Sequence, residues 1–522
     1  MRAFVVVALF SMAGLAGLAA SASGSKPAPC ALDAPPPSPS VPAVGPAPLA
    51  PANVGLSAVS DDGRRIFFQT ARQLLERDRD RRVDIYKRTG SQLTLVSTGS
   101  RGDDAGVGAS LEAISANGSR AFFTTADALV RSDTDHDTDL YERFGATTVL
   151  LSRAPSKVPG GGMPTFEHVS SDGARVLFDV DPGGRFEYRG GAVDRIRAPG
   201  HYVGASADGS HLFFQSGPNW RWALGGLFDL HNGRTTRIAR NARLGGSTSD
   251  ARAVVFETKQ PLTPHDHDRC LDVYKRRAGR NVLISKDPVS ARPDFDSHFQ
   301  GMSSDASRIF FGTQEAMVAS VPQPTRDRGN PIHIYERAHG QTKLVATPGV
   351  SVYVPPTVSA DGSHVIYETG SRIVKADRDS ARDVYEFTNG VPKLVSTSSR
   401  DAGHASARFA GASSDGRRIF FAAKQQLLAS DHDDAWDFYE RRGHATHLVS
   451  AAAPGLTARQ EVFLESPLMA SLGFFEQGHS LLTSSDGRRA FFATGDRLSH
   501  FDRNRFRDVY GSVRGRSYLV SG

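Results

Sequence analysis

The chain has 522 residues, 39% of them hydrophobic, with 62 Lys and Arg against 56 Asp and Glu and a formal net charge of +6. That much apolar content excludes a disordered polymer and suffices for one large core or several small ones in series. Two cysteines exclude a disulfide framework, and beyond the N-terminal region no run of eighteen apolar residues exists, so the mature chain is expected to be soluble, without a membrane span.

The first element in chain order reads as an export signal. Arg2 supplies a short positive region, residues 4–18 an apolar stretch too short for a membrane span, and Ala20-Ser21-Ala22 a small-residue cleavage site. Residues 1–22 are therefore expected to be a signal peptide, and the mature chain to be secreted, extracellular or periplasmic. Residues 23–53 follow as a Pro/Ala-rich disordered linker, with ten prolines between positions 27 and 51. Such a stretch stays extended and acts as a semi-rigid spacer or an inert tail. Cys30 lies here and Cys270 lies in the folded part, so a bridge between them is open on sequence grounds.

From residue 54 onward a turn recurs: Asp62-Gly63, Asn117-Gly118, Asp172-Gly173, Asp208-Gly209, Asp250-Ala251, Asp305-Ala306, Asp361-Gly362, Asp415-Gly416 and Asp486-Gly487. Asp can bond its own backbone there and Gly accepts positive φ. A short strand precedes each turn and a β-branched and aromatic run such as Arg65-Ile66-Phe67-Phe68 follows it. Next come a polar loop, an Asp-Val/Ile/Leu-Tyr strand and a fourth strand such as Leu93 to Ser97. Most spacings lie near 55 residues; the units turning at 173 and 209 are followed after 36 and 42, and 71 residues precede the last turn. Four antiparallel strands per unit predict an all-β fold, a β-propeller of eight to nine four-stranded blades over residues 54–522.

The strings SSDGRRIFF (413–421) and SADGSHVIY (359–367) carry a resemblance. They are similar to the WD40-like, TolB-type propeller repeat, with its Ser-x-Asp-Gly-x-x-Ile/Leu-x-Phe/Tyr signature. The resemblance covers the whole of 54–522, apart from Ala251 and Ala306 in place of Gly. It implies the fold and leaves function open, because propellers host binding modules and enzymes alike.

Six loops carry a second pattern, Asp-x-Asp-x-x-x-Asp: Asp78/Asp80/Asp84, Asp133/Asp135/Asp139, Asp266/Asp268/Asp272, Asp377/Asp379/Asp383, Asp431/Asp433/Asp437 and Asp502/Asn504/Asp508. Each first Asp falls 15 residues past the second residue of a turn (63 to 78, 118 to 133, 251 to 266, 362 to 377, 416 to 431, 487 to 502). A constant offset assigns the loops to equivalent places on one rim. Carboxylates at positions 1, 3 and 7 can converge on a hard cation, and calcium accepts irregular all-oxygen sites better than magnesium. The competing reading is that each Asp caps a turn or meets an interleaved Arg such as Arg79, Arg82 or Arg382. The unit turning at 306 retains Asp327, with Gly329 and His333 at the other two places.

Arginines following the turns, among them Arg64, Arg65, Arg120, Arg418 and Arg489, are expected to enrich the opposite rim in positive charge. No nucleophile elbow, zinc helix, phosphate loop or Cys-x-x-Cys occurs. The expectation is therefore a monomeric secreted or envelope-associated TolB-like binding or scaffold module. It would meet a protein or envelope polymer through a propeller face, not nucleic acid, with calcium stiffening its Asp-rich loops. The alternative is a propeller-type hydrolase or lyase acting on an extracellular polymer or glycan. Its funnel residues would be sought among Asp179, Asp181, Glu187, Trp220 and Trp222.

Overall fold

The computed structural model describes residues 53–99, 106–152, 163–181, 183–217, 223–286, 295–322, 332–346, 356–398, 406–456, 462–463 (backbone only) and 481–522. The signal peptide and nearly all of the linker, including Cys30, lie outside them, as do Trp220, Trp222 and Asp327. No helix among the described residues is long and apolar enough to cross a membrane.

All described elements are strands, in nine successive antiparallel units of four. Unit one runs Val54–Val59, Arg65–Thr70, Asp84–Thr89 and Gln92–Leu95, each strand paired to the next. Units four and five share one long strand, Arg234–Ser247, which serves as the last strand of one and the first of the next. In unit nine the first-strand position is split between Val462–Phe463 and Leu482–Thr483, both pairing Arg489–Thr494.

The second strands are apolar runs because both their faces are covered. Ile66, Phe67 and Phe68 are all buried in succession, as are Ile419, Phe420 and Phe421. Alternate side chains enter different cores. Ile66 and Phe68 pack with unit nine's Phe491 and Val509, whereas Phe67 packs with unit two's Phe123 and Tyr141. Each core thus lies between two neighbouring units, and no unit has a core of its own.

The ring closes through such a core. Across the seam between units nine and one, Val54 N donates to Arg507 O at 2.9 Å and Arg88 Nε to Val520 O at 2.8 Å. Backbone bonds also join the Ser-Asp-Gly turns. Asp61 N donates to Ala116 O, Ala116 to Ser171, Ser171 to Ala207 and Ala207 to Ser249. The relay resumes from Ser304 through Ala360, Ser414 and Ser485, and Ser485 N returns to Asp61 O, each link 2.7–2.8 Å long. The fold is a β-propeller, and the all-β expectation holds.

The turn geometry is repeated closely. Ser60 Oγ donates to Asp62 Oδ1 at 2.7 Å and accepts from Arg65 N at 3.0 Å, while Gly63 takes φ +64°. Ala251 and Ala306 adopt the same left-handed conformation at +54° and +53°. The turn therefore survives loss of Gly, at a steric cost of about 1–2 kcal/mol at each position.

Candidate functional site

The acidic loops connect the second and third strands, and in all six the third Asp is the first residue of the third strand: Asp84, Asp139, Asp272, Asp383, Asp437 and Asp508. The turns connect first and second strands and so occupy the opposite rim. The predicted segregation of the two motifs follows from this antiparallel order.

In five loops the three carboxylates come together. One oxygen each from Asp78, Asp80 and Asp84 lies within 4.8 Å of the others, and the same holds for Asp133/Asp135/Asp139, Asp266/Asp268/Asp272, Asp377/Asp379/Asp383 and Asp431/Asp433/Asp437. The sixth loop draws Asn504 to its third acid, with Asn504 Nδ2 donating to Asp508 Oδ2 at 3.0 Å. The first and third acids are buried or half-buried, whereas Asp80 is half-buried and Asp135 exposed. Each cluster thus runs from the surface inward.

Two residue types that the sequence reading overlooked hold each triad. The tyrosine eight residues after the first Asp donates its hydroxyl to that carboxylate: Tyr86 to Asp78, Tyr141 to Asp133, Tyr274 to Asp266, Tyr385 to Asp377, Tyr439 to Asp431, and Tyr510 to Asp502 at 2.6 Å. The serine thirteen residues after the third Asp donates to it: Ser97 to Asp84, Ser285 to Asp272 and Ser396 to Asp383 at 2.6 Å, Ser521 to Asp508 at 2.7 Å, and likewise Ser152 to Asp139 and Ser450 to Asp437. The signal was present in the recurrent Asp-x-Tyr and Leu-Val-Ser strings. Five of the six tyrosines also stack on a second-strand Phe, as Tyr86 does on Phe68 at 5.7 Å; Tyr385 lies opposite Tyr367 instead.

The middle position caps the loop backbone. Asp80 accepts from Arg82 N at 2.5 Å, Asp268 from Cys270 N at 2.6 Å, Asp379 from Ala381 N at 2.6 Å and Asp433 from Ala435 N at 2.8 Å. Asn504 accepts from Phe506 N at 2.7 Å, so its amide oxygen replaces the carboxylate in this task. Turn capping, one of the two readings of the sequence, is thus present in the loops. Arg72 of unit one also reaches Asp508 of unit nine at 2.6 Å.

Capping does not neutralise the clusters. Burial, with the charges of Asp133 and Asp135 added, pushes Asp139 up to about 6 against the bond from Ser152. Burial and the charges of Asp431 and Asp433 push Asp437 up to about 7, and Asp272 is raised for the same reasons. Three converging hard oxygens with unfavourable mutual repulsion form a donor set that could hold a metal ion, and the residues present fit a hard divalent cation.

On the turn rim the expected positive charge is largely matched. In several units the basic residue two past the turn meets an acid of the third strand: Arg175 with Glu187 at 2.7 Å, Arg308 with Glu336 and Arg418 with Glu440 at 2.5 Å, His364 with Glu386 at 2.5 Å, and Arg120 with Glu142; Arg65 and Arg489 donate instead to the carbonyls of Asn117 and Asp62. Of the funnel candidates, Glu187 is in this set. Arg185 Nε and Nη2 donate to the two carboxylate oxygens of Asp179 at 2.7 and 2.8 Å, and Asp181 is exposed. Cys270 is buried at the base of the third acidic loop.

No family model matches the chain, and no curated protein matches it. Among solved structures the chain is similar to a prolyl endopeptidase, at 14% identity and TM-score 0.35 over 65% of this chain, of which it spans about half the length (49%). It is also similar to an oligogalacturonate lyase in complex with manganese, at 15% identity and TM-score 0.33 over 63% of this chain and 88% of that one. A third is the propeller domain of the trilobed protease from Pyrococcus furiosus, at 9% identity and TM-score 0.33 over 76% and 97% of the two chains. Scores of this size carry no argument about activity.

Proposed function

We propose that the chain is a secreted or envelope-associated TolB-like propeller acting as a binding or scaffold module, with calcium held in its Asp-rich loops. The observation that supports this reading is the convergence of three carboxylate oxygens within 4.8 Å in each of five equivalent loops. In the first loop the ligands would be Asp78, Asp80 and Asp84, with the corresponding residues in the others. Asp502, Asn504 and Asp508 would form a sixth site with one charge fewer. Calcium takes six to eight oxygens, so backbone carbonyls and water would complete the shell. Bound there, the ion supplies charge compensation and cross-linking of a loop to the start of a strand; no reaction step is assigned to it.

A module of this kind works by presenting a stiff rim to a protein or an envelope polymer. The Tyr and Ser donors hold the first and third carboxylates and a loop N–H holds the middle one, and the ion would tie all three together. Calorimetric melts in calcium and in chelator test the reading. A ligand at a hundred times its Kd stabilises a single site by about 2.7 kcal/mol, so several occupied loops are expected to raise Tm by many degrees. Identical melts in both conditions would overturn it.

A further inference from the structure

Units three and four lack the acid triad, and the rim is open at unit three. In unit three the second strand, Arg175–Val180, returns directly as Gly184–Arg189, whereas unit one spans residues 71–83 between the same strands. The gap is an open pocket of about 690 Å³, lined by Asp179, Arg185, Arg195 and Arg197 with the apolar Ile196 and Pro199 beside them. Three guanidinium groups therefore face one carboxylate on a rim that carries acid triads at five other positions.

That one carboxylate is already engaged. Asp179 binds Arg185 through both oxygens, and Arg185 also donates to Gly200 O at 3.0 Å and lies over the Phe214 ring at 4.8 Å. Arg185 is thereby fixed at the floor. Arg195 and Arg197 are exposed, and neither forms an ion pair among the described residues. Gly184 leaves the space that the Arg195 head occupies: a Cβ there would stand 3.1 Å from Arg195 Nη2. The exposed acids Asp181 and Asp194 do not line the pocket.

We propose that this gap is a binding pocket for an oxyanion-bearing ligand, a carboxylate or a phosphate, gripped by Arg195 and Arg197 over the fixed Arg185. The planar guanidinium fork matches both anions in bidentate geometry. The acid loop of neighbouring unit two would repel an anion from that side of the rim and favour the gap. The proposal does not depend on metal in the loops, and its test contains no calcium.

Isothermal titration of the full chain with inorganic phosphate, and separately with succinate, at about 0.01 M and about 0.15 M salt tests it. Saturable binding of at least one anion is expected, weaker at the higher salt, with the preferred anion identifying the group recognised. R195Q/R197Q is expected to weaken binding at least about tenfold with Tm unchanged, since both side chains are exposed. R64Q/R488Q, on the opposite rim, is expected to leave binding as it was. Absence of saturable binding for both anions, or equal loss in the two double variants, would overturn the proposal.

Discussion

Each triad is held by a phenol and a serine hydroxyl, and this pairing has a direct energetic consequence. Tyr385 is buried and its hydroxyl donates to Asp377, itself buried. Removing the hydroxyl leaves a desolvated carboxylate oxygen without its donor, which costs about 1–3 kcal/mol. Y385F is therefore expected to lower urea-unfolding stability by that amount while the ring stays packed; an unchanged midpoint would show that the bond does not form in solution. The sequence showed the three acids and the start of the strand they precede, because those patterns are local. It hid the tyrosine and serine partners, since a residue that stacks in the core and closes a hydrogen bond looks like ordinary strand composition. Asn504 illustrates the same limit: it reads as a weakened ligand, and in the fold its oxygen caps Phe506 N as the aspartates cap their own loops.

At the scale of the element, the Ser-Asp-Gly turn carries the repeat. Bonds from Ser206 and from the backbone and hydroxyl of Ser210 hold Asp208 down at about 2, and Ser303 and Ser307 do the same for Asp305. An Asp in the unfolded chain titrates near about 3.9. The folded values are depressed, so this contribution is fully present above the unfolded value and is lost as pH falls through the folded one. Eight turns carry such an aspartate, the ninth having Asn117 in its place, and all eight are depressed; together they predict a loss of stability between about pH 4 and pH 2, which acid titration followed by circular dichroism would read. D208N/D305N is expected to reduce its amplitude, and an unaltered acid transition would contradict the assignment. The turns were fully legible in the sequence, including Ala251 and Ala306, because Asp capping is written in adjacent residues. The acids opposite the post-turn basic residues were not. They sit three residues past the third Asp, as at Glu142, Glu386 and Glu440, and only strand register brings them across.

For the whole molecule, stability is a property of the ring, since every core is shared between neighbours. Eight or nine blades was as far as the sequence could go. The nine turns match nine units among the described residues, although one strand, Arg234–Ser247, does the work of two and the first strand of the last unit is split, details that periodicity does not reveal. The seam between units nine and one carries a specific test. R72A removes the cation from Asp508, which is nearly inaccessible to solvent. It is expected to lower global stability by about 1–3 kcal/mol, and no change would mean that the ring does not close through this contact.

Calcium is proposed for the acidic loops, five with a converging carboxylate triad and a sixth with Asn504 in the middle place. Calorimetric titration of the metal-free chain with calcium measures this most directly. Saturable binding approaching six ions per chain is expected, falling by one when Asp78 and Asp80 are changed together to Asn, with the fold retained. A titration without saturable heat, or a stoichiometry that D78N/D80N leaves unaltered, would contradict it.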